Sequence, residues 1–516
     1  MVNSNSRTKN ASKGIAWGFL YRIFSIVLPF ITRTIMIYYL GIEYTGLGSL
    51  FTSILQVLSL AELGIGHALV FGMYKPVAEE DYSKVNAYLN FCKRCYRVIG
   101  YVILAVGLLL LPFLSKLVSG NIPTDINLYT LYLIYLFNTV ISYFLYAYKS
   151  CILTATQHTD IINQIQLVCL LGCQFFSAIF LLLFRNYYLY TICIPASTIV
   201  NNLLVNRIVD SRFPKIKDEG ELEKNEIENI KEIVFGMIFQ KVGAVVLSSV
   251  DSIVISAFLG LTILGKYNNY YYIISALFGF MNVIVTSLVP SVGNSIQTQS
   301  VEVNYKLFRK FNFIYSWIII WCASCLLSLY QPFMKIWVGD RNMLDFSIVV
   351  LLTIYFIVWK LVDPVYIFRD AAGNWREYKF IPLIAALVNL ITNIVLVQYI
   401  GLQGIIISTI VAFALIYIPF FSYPLFKSVF KAKQKYYVYI FNQLKYMFVA
   451  AIVAIVTFYM CKLIPFEGLE EIIIKTIVCL VVPNLVLCVF FFRTKDFHDM
   501  LDFFNNKIGY KILRRG

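Results

Sequence analysis

Charged residues are scarce in this sequence. Lys, Arg, Asp and Glu make up only 14% of the 516 residues, whereas 59% are hydrophobic, and the mean hydropathy is +0.75. A soluble protein of this length does not need so much apolar surface, so the composition indicates a polytopic membrane protein. The long alternating stretches that build outer-membrane barrels are also missing, so the predicted fold class is an all-α transmembrane helix bundle.

Residues that bind metals are rare or badly placed. The chain has three histidines, His67, His158 and His498. Its eleven cysteines include C-K-R-C from Cys92 and C-A-S-C from Cys322, but a zinc site needs two such pairs or nearby histidines. We therefore expect eleven unpaired cysteines, no metal and no cofactor.

The signatures of common enzyme classes are also missing. The sequence has no Walker loop and no G-x-S-x-G elbow. The longest loops predicted outside the membrane, 119–127 and 337–345, leave little room for a catalytic constellation. We do not expect an enzyme.

The apolar segments predict fourteen transmembrane helices. Loops nearly free of Lys and Arg alternate with basic loops, and this positive-inside pattern accounts for most of the net charge of +15. It predicts that both termini are cytoplasmic, including a basic tail with Lys511, Arg514 and Arg515. The predicted helices cover roughly residues 14–40, 46–73, 84–117, 127–155, 160–184, 187–208, 231–259, 265–292, 305–333, 345–370, 377–400, 402–425, 441–463 and 469–493.

A charged cytoplasmic linker divides the chain at residues 211–230. The predicted domains are an N-terminal lobe of six helices, a linker, a second six-helix lobe, and two further helices with the basic tail, over 1–210, 211–230, 231–426 and 427–516. Because six is even, the two lobes have the same orientation, and we expect pseudo-symmetry about an axis along the membrane normal.

The first predicted helix carries two arginines inside an apolar run. Arg22 and Arg33 are eleven residues apart, about three helical turns, so they share one face. Pro29 lies on that face and removes a backbone hydrogen bond there. An arginine within a membrane span usually faces a bundle interior or a water-filled cavity. The first helix therefore presents two positive charges and a weak point to one side.

The same stretch recurs 219 residues later. Leu40-Gly41 then falls on Leu259-Gly260, Gly46 on Gly265, and Arg22 on Lys241, while Arg33 falls on Ser252, beside Asp251. Chance alignment of Leu-Gly pairs is the alternative. A matched cation and two matched glycines favour duplication around a shared polar centre.

Other polar residues within the spans have alternative interpretations. Glu62 could bind a proton or sodium ion, or neutralise Arg22 or Arg33. Asp251 lies about 80° from Lys241 on the seventh span and needs a partner on another helix. Lys360 and Asp363, at i,i+3, predict a local ion pair, with a cavity role as the alternative.

Amides and aromatic residues raise the question of sugar binding. Asn268, Asn269 and Tyr270 could contact a glycan, although an interfacial aromatic belt is the more common role of such residues. Asn389 and Asn393, at i,i+4, predict hydrogen bonds that join helices.

The first two spans resemble polysaccharide-type flippases of the multidrug/oligosaccharidyl-lipid/polysaccharide exporter superfamily. The resemblance extends over the whole chain as topology, and its residues are Leu40-Gly41, Tyr44, Gly46-Leu47 and Glu62-Leu63-Gly64-Ile65-Gly66. It implies a two-lobed transporter that alternates between inward- and outward-open states. The implied substrate is undecaprenyl-diphosphate-linked oligosaccharide, moved to the periplasmic leaflet of the bacterial inner membrane for O-antigen or capsule assembly.

Sequence and resemblance together predict a cationic cavity that binds the diphosphate. Arg22, Arg33 and Lys241 would supply its charge. Expected partners are membrane lipids, H⁺ or Na⁺, and a polymerase of the same pathway, but no nucleic acid. We expect a monomer, because the cavity lies within one chain. The alternatives are a lipid II flippase, which also has fourteen spans and a cationic cavity, and a cation-coupled multidrug exporter of the same superfamily.

Overall fold

The computed structural model describes residues 4–62, 64–120, 122–374 and 376–508. These residues form helices and loops and contain no β-strand, in agreement with the predicted all-α class. No water satisfies backbone polar groups in the hydrocarbon core of a membrane, so an apolar chain there forms helices, whose hydrogen bonds are internal. The predicted basic tail, with Lys511, Arg514 and Arg515, lies outside the described residues.

The chain forms two compact units, and the boundary between them lies between Asn268 and Asn269. This boundary differs from the predicted lobe division at 211–230, because the helix after that linker makes its contacts within the first unit. The predicted division into lobes stays a prediction. The first unit contains α1 (Ser4–Tyr39), α2 (Ile42–Leu58), α3 (Ile65–Ala78), α4 (Tyr82–Leu110), α5 (Leu128–Phe144), α6 (Ser150–Ala155), α7 (Thr159–Phe184), α8 (Tyr187–Arg212), α9 (Lys224–Leu259) and the beginning of α10 (Leu261–Thr298), with 3₁₀-helical turns at Ser59–Glu62, Leu111–Leu117 and Ala147–Lys149.

The second unit contains the rest of α10 and the helices after it. These are α11 (Val301–Val338), α12 (Phe346–Lys360), α13 (Asp363–Ala372), α14 (Ile381–Ala412), α15 (Ser422–Pro424), α16 (Lys433–Lys462), α17 (Leu469–Phe491) and α18 (Lys495–Ile508), with 3₁₀-helical turns at Asp340–Asn342 and Arg376–Tyr378 and π-helical segments at Phe413–Phe421 and Leu425–Val429. The last two predicted spans, α16 and α17, pack along α11. The indole of Trp317 on α11 donates a hydrogen bond to the side chain of Asn484 on α17.

Two helices of the first unit begin in the same way. Gly41 precedes α2 with φ 125° and ψ 170°, and Gly260 precedes α10 with φ 87° and ψ 173°. Glycine adopts this backbone region because it has no Cβ atom, and other residues rarely do. The two glycines occupy equivalent positions in the predicted repeat, so the repeat extends to local backbone conformation.

The apolar helices are numerous enough for a polytopic membrane protein. Within the described residues, twelve helices are long and apolar enough to cross a membrane, or thirteen if α5 and the bent segment after it form one span. One of the twelve, Ile381–Val429, has 49 residues. A straight helix of that length would measure about 70 Å, more than twice the hydrocarbon thickness of about 30 Å.

This long helix is interrupted near its middle. The backbone leaves the helical conformation at Ile400 and Gly401. Across the break, Asn389 Nδ2 donates a hydrogen bond to Thr409 Oγ1 at 2.9 Å. Within the first segment, Asn393 Nδ2 donates one to Asn389 Oδ1 at 3.3 Å. Asn389 therefore joins the two helical segments, as predicted, and Asn393 bonds to it from the next turn. The total of fourteen spans stays a prediction.

Candidate functional site

The two arginines of the first span lie on one side of α1. The helix continues through Pro29 from Ser4 to Tyr39, so Arg22 and Arg33 are separated by about 20° around its axis. Both side chains are half-buried. Arg33 donates a hydrogen bond from its guanidinium to the backbone oxygen of Asn268 at 3.3 Å. The guanidinium of Arg22 makes no hydrogen bond or ion pair with any residue that the structure describes.

The third predicted cation, Lys241, lies beside a break between two helical segments. It is half-buried on α9, and a Cβ atom built on Gly64 would lie 3.1 Å from its Nζ. Gly64 separates the 3₁₀-helical turn Ser59–Glu62 from α3. Backbone carbonyls at the end of a helix favour a nearby cation. Like Arg22, Lys241 has no hydrogen-bond or ion-pair partner among the described residues.

Glu62 lies at the same helix break but does not neutralise a cation there. Its carboxylate accepts a hydrogen bond from the Tyr143 hydroxyl at 3.1 Å. Within the described part of the chain it forms no ion pair, so the predicted pairing with Arg22 or Arg33 is absent. The side chain points toward tyrosines of neighbouring helices instead. A Cβ atom built on Gly66 would lie 3.3 Å from a Glu62 carboxylate oxygen and 2.8 Å from the Tyr96 hydroxyl, so both groups lie on the same side of Gly66.

The other predicted carboxylates are buried. Asp251 lies on α9 in the first unit and is buried. In the second unit, Lys360 Nζ is 2.8 Å from an Asp363 oxygen, and both side chains are buried. The Tyr315 hydroxyl also donates a hydrogen bond to Asp363. The i,i+3 spacing predicts this ion pair, and the structure contains it.

The residues predicted to contact a glycan are buried in the structure. Asn268 Nδ2 donates to the backbone oxygen of Leu264, one turn earlier. Asn269 is fully buried, and its amide has no hydrogen-bond partner among the described residues. The hydroxyl of Tyr270 donates to Gln331 and accepts from the backbone nitrogen of Leu344. The Tyr270 hydroxyl is therefore already engaged within the second unit, and contact of these three residues with a glycan stays a prediction.

Four buried or half-buried cations of the helices have an acidic partner. Ion pairs join Lys149 with Asp210, Arg369 with Asp370, Lys475 with Glu471, and Lys360 with Asp363. A cation inside a membrane normally has such a partner, because an unpaired buried charge is costly. Arg22 and Lys241, which are also half-buried, differ from these four because neither has an acidic partner among the described residues.

A polar cleft in the first unit was missed by the sequence analysis. It has a volume of about 500 Å³, and no Lys, Arg, Asp, Glu or His lines it. The sequence signal for it is the spacing of polar residues, which recur at i, i+7 and i+11 in two neighbouring helices. In α7 they are Gln166, Cys173 and Ser177, and in α8 they are Tyr190, Ser197 and Asn201. The remaining lining residues are Tyr21, Ser142, Cys169, Leu170, Gln174, Ile194, Thr198 and Asn202.

Comparison with known sequences identifies relatives of the chain. A sequence model of the family described as "Polysaccharide biosynthesis protein" matches residues 11–295, more than half of the chain. An uncharacterized membrane protein of Methanocaldococcus jannaschii is 21% identical over 438 residues, which cover 80% of this chain and 83% of that protein.

Solved structures of transporters share the fold. The lipid II flippase MurJ, in an inward closed conformation, matches with a TM-score of 0.66 and 15% identity over 92% of this chain and 98% of that chain. An inward-facing multidrug resistance MATE family transporter of the MOP superfamily gives 0.60 and 11% over 84% and 98%. A MOP superfamily transporter from Pyrococcus furiosus, whose binding pocket is described as having reverse polarity, gives 0.52 and 11% over 86% and 97%. At these identities the likeness shows the fold alone.

Proposed function

The chain belongs to the polysaccharide biosynthesis protein family, and on that basis we propose that it is a flippase for lipid-linked oligosaccharide. Its substrate would be an oligosaccharide on undecaprenyl diphosphate, moved from the cytoplasmic to the periplasmic leaflet for O-antigen or capsule assembly. Moving the lipid between leaflets is transport by alternating access and requires no catalytic residue. We place the protein in the bacterial inner membrane, with both termini cytoplasmic, because basic residues concentrate in alternate loops.

The observation that carries this proposal is that Arg22 and Lys241 have no hydrogen-bond or ion-pair partner for their charged groups in the part of the chain that the structure describes. A half-buried cation without a neighbouring carboxylate is favourable only if a ligand or water supplies the hydrogen-bond acceptors that the protein does not. A diphosphate carries the opposite charge and offers several acceptor oxygens, and charge-assisted hydrogen bonds to it are stronger than neutral ones. Arg33 would add a third positive charge, because it lies on the same face of α1 as Arg22 and is half-buried as well.

A lipid II flippase is the second candidate, and the likeness to MurJ in fold is the observation that favours it. A diphosphate-linked lipid would engage the same cations, so charge does not separate the two substrates. The family match favours surface polysaccharide. A cation-coupled multidrug exporter fits less well, because an unpaired cation repels a cationic drug and only Glu62 offers an unpaired carboxylate among the predicted site residues.

The test is the leaflet distribution of lipid-linked oligosaccharide in cells that lack the gene and any redundant flippase. We expect accumulation in the cytoplasmic leaflet, relieved by the wild-type protein but not by Arg22→Ala or Lys241→Ala at equal expression. Arg207→Ala is the matched control, because it removes an exposed cation from α8. Arg22→Lys should restore part of the flux, because lysine keeps the charge but loses the planar fork.

Three outcomes would count against the proposal. Normal flipping by both Arg22→Ala and Lys241→Ala would show that transport does not depend on these two cations. Normal flipping in cells without the protein would favour the exporter alternative, and drug efflux would then be measured. Accumulation of lipid II instead of the oligosaccharide would select the second candidate.

A further inference from the structure

The uncharged cleft of the first unit is bounded by four helices. Tyr21 reaches it from α1, Ser142 from α5, Gln166 and Gln174 from α7, and Asn201 from α8. Its volume of about 500 Å³ falls within the range of about 300–1,000 Å³ typical of small-ligand pockets. Every hydrogen-bonding group in its lining belongs to an amide, a hydroxyl, a thiol or the backbone, so the cleft is polar without being charged.

Part of this polar lining only joins helices. Thr198 donates a hydrogen bond to Asn138 at 2.7 Å, and Ser197 donates one to the backbone oxygen of Cys169 at 3.2 Å. Such bonds between helices are the usual role of small polar residues in membrane proteins. If the whole cleft had this role, its other polar groups would be paired in the same way.

Several of those groups have no partner. The hydroxyls of Tyr21 and Tyr190 and the amide of Gln166 make no hydrogen bond with any described residue. Gln174 accepts one bond, from Thr32, and its amide nitrogen donates none. In a membrane-spanning region such groups are retained at a cost unless a ligand or water satisfies them. Their number in one cleft indicates a binding surface for a polar, uncharged ligand.

We infer that this cleft binds neutral sugar units of the transported oligosaccharide, an inference that rests on the proposed function. Sugar hydroxyls donate and accept hydrogen bonds, and amide and hydroxyl side chains do both as well. Tyr190 lines the cleft, and its ring is held by packing on that of Tyr187 at 5.6 Å, so the cleft includes an aromatic side chain of the kind that contacts sugar rings. Acidic sugars would be disfavoured, because the lining has no cation.

The cleft lies beside the arginine face of α1. Tyr21 lines the cleft and precedes Arg22, while Thr32 binds Gln174 of the cleft and precedes Arg33. Consecutive helical residues are about 100° apart, so the cleft and the arginines occupy adjacent faces of one helix. Tyr21 and Thr32 are also about 16 Å apart along the axis, long enough for more than one sugar. One substrate could thus place its diphosphate on the arginines and its sugars in the cleft.

Binding measurements with two lipids test this assignment. The probes are undecaprenyl diphosphate and the same lipid with the oligosaccharide of the source organism, each titrated against purified protein in nanodiscs. Gln166→Leu and Tyr190→Phe should weaken binding of the oligosaccharide-bearing lipid about tenfold, because each removes hydrogen bonds to sugar. Binding of undecaprenyl diphosphate should not change. Gln398→Leu is the matched control, since it removes an exposed amide outside the cleft.

The outcomes separate this inference from the proposed function. Arg22→Ala should weaken both probes, and failure of the wild type to bind either would overturn the proposed function and the inference with it. If the cleft variants bind both probes as the wild type does, or lose both equally, the sugar assignment is wrong while the flippase proposal stands. Tyr190→Phe removes a single oxygen atom, so it provides the answer if Gln166→Leu fails to fold.

Discussion

Gly46 and Gly265 contact each other's helix reciprocally. A Cβ atom on Gly46 would lie 2.3 Å from the backbone oxygen of Leu261, and one on Gly265 would lie 2.4 Å from the backbone oxygen of Ile42. Residues 42 and 46 become 261 and 265 under the 219-residue offset. The contact between the starts of α2 and α10 therefore has the local symmetry that a duplicated sequence would produce.

Alanine at either glycine should separate this pair of helices. A methyl group cannot stay at 2.3–2.4 Å from a backbone oxygen, so Gly46→Ala and Gly265→Ala should each cost about 1–3 kcal/mol of stability. Thermal denaturation of purified protein measures the loss. Gly236→Ala is the control, because its Cβ would meet open space on α9. Equal stability of all three variants would contradict the close approach.

The buried pair of Lys360 and Asp363 predicts an asymmetric response to mutation. Lys360→Met or Asp363→Asn alone leaves one buried charge without its partner, and each should destabilise the protein by about 3–5 kcal/mol. Lys360→Met combined with Asp363→Asn should cost less than either single change, because neither charge remains. A double-mutant cycle on thermal stability checks this. Stable single variants that fail to transport would instead favour the cavity role for this pair.

Glu62 offers a test of ion coupling. Glu62→Gln keeps an oxygen that accepts from Tyr143, so stability should change little. If the carboxylate binds H⁺ or Na⁺ during transport, which is one of the two roles the sequence allows for it, the variant should lose the dependence of flipping on the ion gradient. Flux into proteoliposomes with and without an imposed gradient measures this. Glu79→Gln is the control at an exposed position, and an unchanged gradient dependence in Glu62→Gln would exclude this carboxylate.

The linker before α9 should detach from the first unit in acid. Partial burial alone would raise the pKa of Asp218, but hydrogen bonds from Lys93, the backbone and Tyr148 outweigh it, so its pKa is lowered. A lowered carboxylate pKa stabilises the folded state above its unfolded value of about 3.9, and the stabilisation disappears as pH falls through the lower folded value.

Hydrogen exchange across residues 213–223, corrected for intrinsic rates, measures this effect. Protection should be constant from neutral pH to about pH 5 and should fall below about pH 4. Asp218→Asn should lower protection already at neutral pH. Glu221→Gln should change it little, because the ion pair of Glu221 with Arg94 is exposed. Equal effects of the two variants would show that Asp218 has no special role.

The charged groups illustrate how far sequence reasoning reaches. The spacing of Lys360 and Asp363 predicts their ion pair, because both residues lie on consecutive turns of one chain segment. The position of Glu62 could not be predicted in this way. Its partner, Tyr143, is distant in sequence, and the direction of its side chain depends on the helix break at Gly64.

The sequence by itself determined the membrane class, the helical fold, the arginine face of α1 and the glycine repeat. Each of these follows from composition or from the fixed 3.6-residue period of a helix, which is a local property. Only the tertiary structure decided that Arg22 and Lys241 have no acidic partner among the described residues and that α7 and α8 help to enclose an uncharged cleft. The physical reason is that pairing and enclosure depend on which helices become neighbours, and helix packing, not helix formation, sets those distances.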